Sequence, residues 1–429
     1  MSIKHLAGGT SAFALAVAAL VGGIGAANAT EGYFQTGYGT IQKAQSGAGI
    51  ANPEDAMTLS VNPAGLVSVG RQFEAAFTLF SPKRDYTAGG SRAFGMPGAM
   101  PLMPGKVDST QDLFLMPNMA YSAPIDAQSA WGVALFGNGG MNTNYQSNVF
   151  YGGQTGVNLE QMFLTVGYAR KFGDVSVGVS PVVAMQKFRA TGVGAFSVMS
   201  ADAANLTNNG DDYAWGAGLR VGAQWNISPA FRVGLTAQTP IWSTKFDKYA
   251  GLYADGGSFD IPGSVGAGVA FDVTPAITLM ADYRHIFYGG VKSIANSSTN
   301  FYNLMMLGDM NSRFGSGNGS GFGWKDVDVI ALAASWKATK DLTLRVGYSH
   351  NTNPISSNDV MMNILAPAVV TDHVSGGLTY AWSKNLEIDL AAAYVPRASV
   401  SGTNPLAPDQ TIKLSMEQYE ASIGMRYKY

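Results

Sequence analysis

The chain has 429 residues, 27 Lys+Arg against 29 Asp+Glu, 46% apolar residues and no cysteine. Its 13% charged residues are about half the roughly 25% usual in soluble domains. These figures exclude disorder, a disulfide framework, a Cys-ligated metal site and, at a net charge of -2, a surface built on nucleic-acid phosphates.

The first element is the uncharged run from Leu6 to Ala29. Lys4 and His5 precede it, and Ala27-Asn28-Ala29 closes it with small residues at the two positions a signal peptidase reads. It reads as a secretory signal peptide over 1–29, cleaved after Ala29; a membrane anchor is the competing reading. Residues 30–70 are too Gly-rich for a long helix and lack strand alternation, yet Ile41, Ile50, Met57, Leu59, Val61 and Leu66 give them apolar surface to bury.

From residue 71 onward, apolar residues alternate with small or polar ones. Tyr419, Ala421, Ile423, Met425, Tyr427 and Tyr429 share one face; Glu420, Ser422, Gly424, Arg426 and Lys428 share the other. The pattern predicts strands over 71–86, 112–123, 128–136, 158–171, 174–190, 212–227, 230–242, 263–273, 276–289, 325–338, 341–349, 372–383, 386–396 and 418–429. Every second connection is short. The others are long: 87–111, 137–157, 191–211, 243–262, 290–324, 350–371 and 397–417. Fourteen strands in this rhythm predict an all-β fold, an antiparallel transmembrane β-barrel of the bacterial outer membrane over 71–429. Tyr and Trp near strand ends fit its aromatic girdles, and the terminal aromatic residue fits recognition by the barrel assembly machinery. Its outer face would meet outer-membrane lipid and lipopolysaccharide. A barrel of this size has a lumen that side chains alone do not fill. Segment 30–70 is therefore expected to fold back into it as a plug, against the alternative of a disordered periplasmic tail.

The stretch Gly37-Tyr38-Gly39, Ala44, Gly47-Ala48-Gly49, Ala51, Asp55-Ala56, Asn62-Pro63-Ala64-Gly65-Leu66 resembles the plug of the FadL/TodX family of outer-membrane channels for hydrophobic compounds. The resemblance continues through Trp131-Gly132, Gly137-Asn138-Gly139-Gly140-Met141, Pro240 to Phe246, Tyr249 to Leu252, Gly321 to Val327 and Asn363 to Pro367. It implies a monomeric barrel with an N-terminal hatch that includes Asn62, Pro63 and Ala64. Ligand would be captured at the extracellular loops, enter an apolar lumenal pocket and leave sideways at a kink in the third strand, here Gly137, Asn138 and Gly139. A plain loop start is the other reading of those glycines.

Several long loops are apolar. Phe196, Met199, Phe246, Tyr249, Leu252 and Tyr253 could capture ligand, or could pack on one another as a cap. Lys245 and Lys248 could meet a carboxylate head group, or stand solvated. An enzyme is not expected. No H-x-x-x-H pair or G-x-S-x-G elbow occurs, no cofactor or metal is implied, and Asp372-His373 or Asp282 with His285 reads more simply as structural. A general porin would carry more lumenal charge and no plug. Passive uptake of long-chain fatty acids is the first expectation, and of aromatic or alkane hydrocarbons the second.

Overall fold

The computed structural model describes residues 31–94 and 99–429, so the signal-peptide reading of 1–29 lies outside the described residues. Fourteen long antiparallel strands form the wall: β1 Gln72–Gly90, β2 Phe114–Pro124, β3 Ser129–Tyr145, β4 Thr155–Phe172, β5 Val175–Thr191, β6 Asp212–Ser228, β7 Phe231–Gln238, β8 Ser264–Thr274, β9 Ile277–Ile286, β10 Val327–Lys337, β11 Leu342–Asn351, β12 Asp372–Ala381, β13 Leu386–Thr403 and β14 Gln410–Lys428. Each pairs with its chain neighbour, and β14 pairs β1 from Gln72–Lys428 to Gly90–Gln410, which closes the barrel. Two short pieces, Gly105–Asp108 and Trp242–Ser243, add to the rims of β1 and β6.

The alternation sets the two faces. On β14 the side chains of Tyr419, Ile423, Met425 and Tyr427 are exposed on the outer wall, while Glu420, Ser422 and Arg426 are buried inside. Closure leaves no free sheet edge at β1 or β14, which a wall in lipid requires. Five of the short turns share one device. Asp126, Ser228, Thr274, Thr339 and Ser383 each accept backbone N–H groups two and three residues on, fixing hairpin register locally.

Strand ends differ from expectation. The expected loops 137–157 and 397–417 are largely strand, because β3 runs on to Tyr145 and β13 and β14 reach Thr403 and Gln410. Bulges at Gly137/Gly139 and between Val395 and Ala398 shift the register there, so the alternation changes phase although the strand continues. β7 stops at Gln238 rather than 242, where Thr239-Pro240 follows and proline has no N–H for the ladder.

Residues 31–70 form only short helical turns, Gly39–Ala44, Ala56–Ser60, Pro63–Gly65 and Leu66–Val69. They hydrogen-bond to β3, β6, β7, β9, β11, β12 and β14. A segment that touches strands around the whole circumference of a closed barrel lies within it.

Candidate functional site

Two features seat the N-terminal segment. The first is a set of inward-facing glycines. A Cβ on Gly178 would lie 2.4 Å from the Pro63 carbonyl carbon, and one on Gly222 2.0 Å from Asn62 Oδ1. Gly167 receives Leu59, Gly266 and Gly268 receive Ile50, Gly347 receives Gln45-Ser46, and Gly377 receives Ala44. Gly216 and Gly218 instead face Thr239 to Ser243, where the chain leaves β7. Asn62 knots the element: its Oδ1 accepts from Ala64 N–H at 3.1 Å, and its Nδ2 donates to Ile50 O at 2.9 Å and Ala223 O at 3.1 Å.

The second feature is charge. Arg284 pairs with Glu31, Lys43 with Glu420 at 2.6 Å, and Arg345 with Glu54 at 2.5 Å. Arg426 bonds Asp389 at 2.8 Å and donates to Glu54 O at 3.1 Å. Asp282 accepts from the Gly49 and Ile50 N–H groups at 2.7 and 2.9 Å, and Arg220 donates to Leu59 O at 3.1 Å. The lumen is therefore charged, and several of its charges are matched by the segment filling it. Burial pushes the Asp55 carboxyl up to about 7, with Asp389 and Glu54 adding repulsion against the Arg426 attraction.

The third strand carries the bulge. The β2–β3 ladder ends at Asn118–Phe136, and β3 continues to Tyr145 paired with β4. Past that end, the N-terminal segment supplies partners. Phe34 bridges Gly139; Gln35 N–H donates to Asn138 O at 3.2 Å, Gln35 Nε2 to Gly137 O at 2.7 Å, and Gly140 N–H to Tyr33 O at 3.2 Å. Asn138 is buried, accepting from the Tyr38 hydroxyl at 2.7 Å and donating to Gln161 Oε1 at 2.9 Å. Gly139 adopts φ 149, which suits a residue without a Cβ. A cavity of about 40 Å³ lies below, lined by Phe34, Tyr38, Ile50, Asn138, Arg220, Asp282 and Arg284.

Above it the loops close inward. Phe188, Phe246, Tyr249, Tyr253 and Phe259 pack ring to ring, with centroids 4.7 Å apart for Phe188–Tyr253 and for Tyr253–Phe259. Tyr33 joins this cluster through Phe259, Tyr288 and Trp324. Trp324 Nε1 donates to Asn363 Oδ1 at 2.6 Å, which brings two motifs distant in sequence together. Phe196, Phe246, Tyr249, Leu252 and Tyr253 are thus buried, and Met199 is half-buried. The exposed apolar side chains of the long loops are others, among them Phe94, Met103, Val198, Met305, Met306 (78% exposed), Leu307 and Met310. The nearly continuous apolar run Phe301 to Leu307, broken only by Asn303, was the available signal. Lys245 and Lys248 are exposed and donate to the carbonyls of Asp255 and Asp211 at 2.5 and 2.6 Å.

Asp282 and His285 do not pair, in keeping with their structural reading. His285 Nδ1 meets Asp328 at 2.7 Å, and Asp282 faces the opposite side. His350 meets Asp372 at 2.9 Å, and among the described residues no cluster of His, Asp or Glu could hold a metal.

The family model for "Outer membrane protein transport protein (OMPP1/FadL/TodX)" matches residues 18–429. A curated relative, the long-chain fatty acid transport protein of Escherichia coli O6:H1, is 25% identical over 402 residues, covering 85% of this chain and 86% of its own. The fold matches the crystal structure of the Pseudomonas putida toluene transporter TodX, with a TM-score of 0.67 at 18% identity over 94% of this chain and 99% of that one. A Pseudomonas aeruginosa FadL homologue gives a TM-score of 0.67 at 14% identity, covering 92% and 99%.

Proposed function

Since the chain belongs to the FadL/TodX family of outer-membrane transport proteins, we propose that it takes up long-chain fatty acids by passive, ligand-gated transfer. Residues 31–70 act as the hatch, with Asn62, Pro63 and Ala64 its anchor on the wall. Ligand lands on the exposed apolar loop surface, passes the aromatic cap, enters the lumen and exits sideways between β2 and β3. The carrying observation is the set of bonds from Tyr33–Gln35 to β3, beyond the last β2–β3 pair at Asn118–Phe136. Those bonds occupy the place where the wall is unzipped, and withdrawing them opens it. The 40 Å³ cavity holds only a few water-sized groups, so a fatty chain requires the hatch to move. Burying such a chain yields about 0.8 kcal/mol per CH₂, enough to drive capture without an energy source.

The name of the E. coli relative favours fatty acids. The likeness to a toluene transporter supports the second reading, an aromatic or alkane hydrocarbon channel. Gly139→Arg places a long charged side chain in the gap. Oleate and toluene uptake are measured in a knockout carrying wild type or variant, with heat-modifiability on gels reporting the fold. A folded variant that blocks uptake supports the route. Wild-type rates in the variant move the exit elsewhere, and uptake of neither compound by wild type refutes the channel.

A further inference from the structure

Arg84 on β1 stands apart from the other buried arginines. It is 4% exposed, its Nη2 donates to the Gln111 carbonyl at 2.6 Å, and its guanidinium lies 5.8 Å from the centre of the Phe114 ring. Its Nε has no partner, and among the described residues no carboxylate forms an ion pair with it. Arg284, Arg345 and Arg426 each have one, in Glu31, Glu54 and Asp389. The neighbouring acids are taken: Asp85 pairs with Arg397, and Asp112 with Lys83. Arg220 also lacks a carboxylate, but both its terminal nitrogens are used, on Leu59 O and Gln238 Oε1.

A buried guanidinium without a counter-ion is costly unless something supplies one. Arg84 borders a cavity of about 20 Å³ lined also by Gly32, Met141, Trp324, Pro367 and Met416. The space suits a head group. The chain behind it would displace Met141 and Met416, whose unbranched side chains adapt readily. Met141 lies two residues past the bulge of β3 at Gly139, so this cavity adjoins the unzipped part of the wall.

We propose that Arg84 is the anchor for the carboxylate of an amphipathic acid in transit, and that it makes this channel select acids over neutral hydrocarbons. This rests on the uptake reading above and names its substrate class. The planar guanidinium, with an unused N–H, can hold a carboxylate oxygen while Phe114 keeps its plane in place.

The test uses the full mature chain in nanodiscs and three probes: oleate, oleyl alcohol and toluene. Wild type should bind oleate about 10- to 100-fold more tightly than oleyl alcohol, as charge-assisted hydrogen bonds allow. Arg84→Met should abolish that preference while leaving oleyl alcohol affinity unchanged, and Arg84→Lys should keep part of it. Unchanged oleyl alcohol binding also reports a folded pocket. If Arg84→Met does not fold, the wild-type preference and the Arg84→Lys variant decide. Equal wild-type affinity for oleate and its alcohol, or an oleate preference surviving in Arg84→Met, overturns the anchor. Wild type that binds none of the three overturns the uptake reading beneath it.

Discussion

Gly178→Ala tests whether the N-terminal segment is seated by the glycine notches. The new Cβ would lie 2.4 Å from the Pro63 carbonyl carbon and 2.5 Å from Ala64 N, both backbone atoms. Ordinary carbon contacts are about 3.5–4.0 Å, so the segment must retreat by about 1 Å. Overpacking of this kind costs about 1–3 kcal/mol. The retreat also stretches the 3.1 Å bond from Asn62 Nδ2 to Ala223 O, worth about 0.5–1.5 kcal/mol. Together they favour the unseated segment by about 2–4 kcal/mol, roughly 30- to 1000-fold in the equilibrium. The outer face of β5 is untouched, so the barrel should remain heat-modifiable on gels. Conductance in planar bilayers should rise, and protease should gain access to residues 31–70. Gly290→Ala, where an added Cβ meets nothing within 4 Å, is the control. A Gly178→Ala barrel as tightly closed and protected as wild type would refute the reasoning.

Arg284→Met leaves the Glu31 carboxylate buried without its cation, at a cost of about 3–5 kcal/mol. Residues 31–35 should detach from β3, and adding Glu31→Gln should restore much of the protection against protease. Asp55 gives the segment a pH dependence. Its seated carboxyl titrates near 7, well above the ordinary value of 3.8, so the seated form binds a proton that the released form has lost. Seating is favoured most near pH 4 and weakens as pH rises through 7. Protease protection of residues 31–70 should fall between pH 4 and pH 7, and Asp55→Asn should flatten the change. Protection that rises with pH would contradict this.

The sequence by itself determined the wall. Period-two alternation, hydroxyl or carboxylate residues opening the short turns, and the rhythm of short and long connections are local signals. A strand's two faces follow from them without knowledge of its neighbours. The Asn62-Pro63 element and the kink at Gly137 to Gly139 were expected from the family resemblance rather than from local pattern, and at Gly137/Gly139 the structure has a register shift. Only the tertiary structure decided what the inward face meets. Glu31 finds Arg284, Lys43 finds Glu420, and Gly178 receives Pro63 across separations that no periodicity encodes. It also decided the fate of the apolar loops. Phe246 and Tyr253 turn inward and are buried, while Met306 and Leu307 remain outside. Hydrophobicity states that a side chain gains by leaving water, but which ones succeed depends on where closure of the barrel brings the loops together.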